Sequence, residues 1–85
     1  MPLPIGYANT GIADHHYHQQ MYEIYLVAKG TSTALVDGKA IALAAGDVLV
    51  VEPGEVHTFT ESSADYLHFV VQTPFVAGDK VSIAE

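Results

Sequence analysis

"HYHQQMYEIYLVAKG", residues 16–30, decides how this chain folds. Its second half, Tyr22 to Gly30, gathers aromatic and β-branched residues into one run that stops at a glycine, the composition of a strand. Its first half sets His16 and His18 two positions apart. Side chains alternate faces along a strand, so these imidazoles point the same way, about 6–7 Å apart. Two imidazoles at that spacing can converge on one ion through metal–nitrogen bonds of roughly 2.0–2.2 Å. Gln19-Gln20 reads as a turn, and Glu23 as a carboxylate that the next strand returns beside the pair.

Outward from this stretch, short β-rich runs alternate with turn residues. Asp37-Gly38 lies between two alternating runs and predicts a hairpin with a tight type I′ turn. Asp47 to Val51 reads as a strand, Pro53-Gly54 as a turn, and a further strand runs through His57. His57 is the best candidate for a fourth ligand. Asp65 to Thr73 reads as another strand, stopped by Pro74, and the tail as a loop, a short strand or one helical turn. Strands recurring every 8–12 residues are the pattern of an all-β sandwich or barrel.

Two segments together resemble the two motifs of the cupin superfamily, in particular its small single-domain members. Residues 16–30 read His-x-His, four residues, Glu, six residues, Gly, and "GDVLVVEPGEVH", residues 46–57, reads Gly-Asp, a hydrophobic strand, Pro-Gly, two residues, His. Gly11 precedes the first motif, and the tail from Pro74 to Asp79 is similar to the "P-F-x-x-x-D" ending of small cupins. Glu52 and Glu61 stand where the family usually carries proline and asparagine.

The resemblance implies a single domain over residues 1–85, with motif 1 at about 11–30 and motif 2 at about 46–61. The implied fold is an all-β double-stranded β-helix, or jelly-roll barrel, with a short N-terminal arm. One or two N-terminal strands are expected to be missing or borrowed from a partner. The implied ligands are His16, His18, Glu23 and His57 around one divalent transition metal ion: Mn, Fe, Co, Ni, Cu or Zn. An octahedral ion so held keeps two positions open for chemistry.

Strand parity adds pocket candidates. Tyr25 and Val27 share a face with Glu23, and Phe59 shares one with His57. His68 reads as a strand histidine at the surface or an interface, or else as a pocket base or a donor to a ligand. His15 points away from His16 and is expected at the surface. Glu52, Glu55 and Glu61 are expected as solvated turn charges, with Glu52 near the pocket mouth.

Composition narrows the function. The 85 residues carry a net charge of −7, with only three lysines and no arginine, which argues against nucleic acid as a partner. Without an arginine fork, a carboxylate or phosphate has no bidentate clamp. The substrate expected is therefore a small molecule that is neutral, or an acid chelated by the metal. No cysteine is present, which removes thiolate metal sites and thiol nucleophiles. No signal peptide or membrane span is visible, and a cytoplasmic location is the default. Hydrophobic residues make up 49% and charged residues 15%, against about 25% charged in a typical domain, so a homodimer is expected. The functions expected are metal-dependent oxygenase, isomerase or lyase chemistry, or non-enzymatic binding and sensing of a small ligand.

Overall fold

The computed structural model describes residues 5–8, 16–74 and 76–83. Among them the chain forms nine strands: β1 (Ile5–Ala8), β2 (His16–His18), β3 (Tyr22–Lys29), β4 (Thr31–Val36), β5 (Lys39–Ala44), β6 (Val48–Val51), β7 (His57–Ser62), β8 (Leu67–Thr73) and β9 (Lys80–Ser82). They make two sheets, a four-stranded one ordered β1-β8-β3-β6 and a five-stranded one ordered β5-β4-β7-β2-β9. All the pairings are antiparallel. This is the jelly-roll solution, which turns one face of each sheet inward.

The alternation on β3 shows why. Glu23, Tyr25 and Val27 are buried, while Tyr22 and Leu26, on the opposite parity, are exposed. Tyr25 and Val27 join Ala34 from β4, Leu43 from β5, Val51 from β6 and Phe59 from β7 in one core cluster. The predicted hairpin is present: Asp37 and Gly38 both have positive φ, 48° and 82°, as a type I′ turn requires.

Other boundaries differ from the sequence reading. The strand expected to pass through His57 begins there, because Val56 is tied to the hairpin turn instead. Asp37 N–H donates to the Val56 carbonyl at 2.8 Å, and Val56 N–H donates to Asp37 Oδ1 at 2.9 Å. β8 begins at Leu67 and not Asp65, since Ser63 to Tyr66 closes a turn through Tyr66 N–H to the Ser63 carbonyl, 3.1 Å. The tail resolves into the short strand β9. Among the described residues one N-terminal strand is present, β1, paired with β8 in the register Tyr7 opposite Phe69. Gly11, His15 and Phe75 lie outside the described residues.

Gly30 links the two sheets where β3 turns into β4. Its φ is +77°, and a Cβ there would lie 2.5 Å from Ser63 Oγ, 2.7 Å from Asp65 Oδ1 and 2.8 Å from Tyr66 Cα. Glycine answers both the backbone angle and the close approach.

Candidate metal centre

Three strands and two clips bring the ligand candidates together. β2 supplies His16 and His18 from three residues held between β7 and β9. His16 sits directly across from His57, and their ring centroids are 4.1 Å apart. Glu23 enters as the second residue of β3. The Pro-Gly turn is fastened to β2 by Gly54 N–H donating to the His18 carbonyl at 2.7 Å. Asp79 fastens the turn between β2 and β3: its carboxylate accepts from Gln20 N–H and from Met21 N–H, each at 2.9 Å. Gln19 and Gln20 are exposed at that turn.

His16, His18, Glu23 and His57 are all buried, and one donor atom from each lies within 4.8 Å of the others. Glu23 Oε1 is the hub, 2.8 Å from His57 Nε2, 3.0 Å from His18 Nε2 and 4.0 Å from His16 Nε2. Tyr25 O–H donates to the same oxygen at 2.8 Å. Gln72 holds the other one, its Nε2–H donating to Glu23 Oε2 at 2.9 Å.

Two features show that this donor set fits a cation. His57 Nδ1 is 3.1 Å from the Glu55 carbonyl, which can only accept. Its Nε2 is 2.8 Å from Glu23 Oε1, so the ring is held from both sides with Nε2 aimed into the cluster, the way a metal-binding imidazole is oriented through its other nitrogen. The second feature is His18. Its Nε2 is close to Glu23 Oε1 but not aligned for a hydrogen bond, and neither of its ring nitrogens has a hydrogen-bond partner although both are buried. Buried polar atoms left in that state are costly unless a ligand satisfies them. The cluster can hold a metal ion.

Charge is arranged to match. Burial by itself would raise the Glu23 carboxyl. Hydrogen bonds from His57, Gln72 and Tyr25, with the nearby His18, outweigh it and hold the group at about 2. Tyr25 moves the other way: burial first, and then the Glu23 charge, push its phenol above the usual tyrosine range. Tyr25 therefore stays protonated and acts as a hydrogen-bond donor.

The remaining pocket candidates lie deeper. Val27 and Phe59 belong to the hydrophobic core with Tyr25, whose ring centroid is 5.1 Å from that of Phe59. His68 is at neither the surface nor an edge. It is 1% exposed, its ring centroid is 5.0 Å from that of Tyr25, and its Nδ1 is 2.7 Å from the Tyr66 hydroxyl. Glu52 and Glu61 are exposed, and Glu55 closes its own turn by accepting from Glu52 N–H at 2.6 Å.

Burial lowers the His68 pKa, and the Glu23 charge opposes this only in part. A depressed folded value means that the neutral ring is favoured in the native state. The contribution is complete above the ordinary value near 6.5 and is lost as pH falls through the lowered one. His68→Gln is expected to flatten the decline in stability on acidification below about pH 6.5 relative to the parent chain. Urea melts of the two proteins across that range check this, and parallel curves would refute it.

Gln72 and Asp79 carry roles that the sequence reading did not assign. Gln72 was detectable in principle, being the polar member of the inward parity His68, Val70, Gln72 on β8. Asp79 had only its place in the tail motif, since its hydrogen bonds span 58 and 59 positions of chain.

The chain matches the family model described as "Cupin domain" over residues 6–72. No curated protein sequence matches it significantly. Among solved structures, Pac13 of Streptomyces, a nucleoside dehydratase also solved with uridine, aligns with a TM-score of 0.80 at 18% identity, covering 95% of this chain and 67% of that one. An uncharacterised double-stranded β-helix protein from Klebsiella pneumoniae aligns at 0.77 and 23% identity, over 98% of this chain and 74% of the other. A cupin protein from Bacteroides fragilis aligns at 0.64 and 29% identity, over 89% and 69%. With two inward-facing antiparallel sheets, both motifs on the strands around one buried donor cluster, and a family match over most of its length, the chain belongs to the cupin family.

Proposed function

We propose that this protein is a metal-dependent cupin acting on a small molecule. His16, His18, Glu23 and His57 hold one divalent transition metal ion, and the working unit is a homodimer. The observation that carries the reading is the convergence of four buried donor atoms within 4.8 Å, including a histidine whose ring nitrogens have no other partner. The bound metal would supply Lewis acidity and open coordination positions for a substrate oxygen, in lyase, isomerase or oxygenase chemistry. Tyr25 keeps a neutral hydroxyl that donates to Glu23 Oε1; once an ion takes up that oxygen, the hydroxyl would be free to donate to an oxygen of the substrate instead. Beside the donors the core is largely apolar, with Tyr25, Val27, Phe59 and His68 all buried and no cation among them, which suits a neutral substrate or one chelated through its own oxygens. The likeness to a nucleoside dehydratase supports small-molecule chemistry on this fold and does not choose the substrate. No helix of the described residues is long and apolar enough to cross a membrane.

Metal analysis of protein purified without chelator or affinity tag is expected to give one ion per chain. Fe(II)-, Mn(II)- and Cu(II)-loaded protein is then assayed for O2 consumption and product formation with diols, phenols and oxoacids. Turnover by one metal form, reduced in Tyr25→Phe without loss of metal, supports an enzyme. Stoichiometric metal with tight ligand binding and no turnover would replace the enzyme by a binding module. Failure to bind any of the ions overturns the reading.

Gln72 gives a separate check. Gln72→Leu frees Glu23 Oε2 and is expected to weaken metal binding by roughly 10–100-fold, the usual effect of losing a partner that orients a ligand. Titration calorimetry measures it, with Gln72→Asn expected to recover only part of the loss.

A further inference from the structure

Through its middle, the outer face of the four-stranded sheet is apolar from edge to edge, with Lys29 opposite Leu67 at one end of β3. On β3 the residues that alternate with the site residues are Tyr22, Ile24 and Leu26. The register continues them across the sheet: Leu26 lies beside Val48 of β6 and Phe69 of β8, and Phe69 lies beside Tyr7 of β1. Ile24 likewise lies between Val50 and Val71. Tyr7 is 75% exposed, Val48 57% and Val50 50%, with Tyr22, Phe69 and Leu26 near 40%. None of these positions carries a charge.

We propose that this face is the contact between two copies of the chain, packed sheet on sheet about a two-fold axis. Area supports a second copy. With full aromatic areas of roughly 150–250 Å², these exposures leave on the order of 600 Å² of apolar surface. That is at the top of what a lone monomer shows, about 300–600 Å², and reaches the ~600 Å² per partner at the lower end of stable interfaces. Charge supports it as well. A chain of net charge −7 is repelled least by its own copy at a face without acidic groups: Asp47 and Glu52, which bracket β6, lie beyond its two ends, and the charge at the end of β3 on this side is the cation Lys29. A basic partner would be drawn to the acidic loops instead. Aromatic enrichment with depleted charge is the composition of an interface core. A face used by both copies at once is self-complementary under a two-fold axis. The strand order also separates functions: on β3 odd positions 23, 25 and 27 face the barrel interior, and even positions 22, 24 and 26 face the second copy. The proposal names the face for the homodimer and does not depend on the metal.

Sedimentation equilibrium of the full chain is expected to give twice the 9.1 kDa chain mass at micromolar concentration. Phe69→Lys and Val50→Lys are each expected to raise the dimer dissociation constant by at least ~100-fold, because a lysine would be buried unpaired. Thr60→Lys, on the other sheet, is expected to change nothing. Circular dichroism and Mn(II) affinity matching the parent show that the variants remain folded, and so separate failure of the dimer from failure of the metal site. Should both variants prove unfolded, Tyr7→Lys at the most exposed position carries the same expectation. A monomeric parent chain, a dimer that survives these folded variants, or partitioning of the parent onto lipid vesicles in place of self-association overturns the proposal.

Discussion

Saturating the chelator-stripped chain with a divalent metal is expected to raise the melting temperature by roughly 15–30 °C, given ~4 kcal/mol at a thousandfold excess over Kd and 4–8 °C per kcal/mol in a domain this small. The stripped site explains the size of the effect. Glu23 Oε1 faces His57 Nε2 at 2.8 Å and His18 Nε2 at 3.0 Å in a buried space, and the His18 ring has no hydrogen-bond partner. A cation would satisfy the His18 ring and draw the carboxylate and the three imidazoles onto one centre, and an 85-residue chain has little other stability to mask the change. His57→Ala removes one ligand and its ring contact with His16 while keeping the backbone pairing of β2 and β7, so affinity is expected to fall by more than the ~100-fold that loss of an orienting partner costs. Calorimetric melts with and without EDTA, for the parent and for His57→Ala, decide the matter. Coincident melts of the loaded and stripped parent would sink the metal reading.

Gly30→Ala is expected to lower the melting temperature by roughly 10–25 °C, from about 2–3 kcal/mol of strain and displacement. Two costs add. The residue has φ +77°, where a side chain is strained, and its Cβ would press on Tyr66 Cα, a backbone atom that cannot rotate away. Moving the Ser63–Tyr66 turn also disturbs the paired hydrogen bonds that join it to Thr31, at 2.8 and 2.9 Å. Gly38→Ala is the control, since that glycine also has positive φ but an added Cβ meets nothing within 4 Å. Gly38→Ala losing as much stability as Gly30→Ala would show that close approach is not the cause.

The strands were legible where local chemistry alone decides them. Asp37-Gly38 fixed a hairpin because few other dipeptides accept two positive φ angles in a row. The parity of β3 placed Glu23, Tyr25 and Val27 on one face because a strand repeats every two residues. β1 was not legible: "IGYA" is short, carries a glycine, and becomes a strand only by pairing with β8, more than sixty positions along the chain. The placement of His68 was open for a related reason. Alternation says that it opposes Leu67 and Phe69, but which face of β8 is inside depends on how β3 and β1 flank it.

By itself, then, the sequence determined the alternation of strands and turns, the two motifs and the four donor residues, because each is a matter of residue type and spacing. Tertiary structure alone decided how those donors meet. The 2.8 Å approach of Glu23 to His57 depends on two sheets closing over a shared core. So do the Gln72 hydrogen bond that leaves Glu23 Oε1 facing the histidines, and the Asp79 clip that holds their turn. Contacts between residues more than thirty positions apart are set by packing, and no local pattern encodes them.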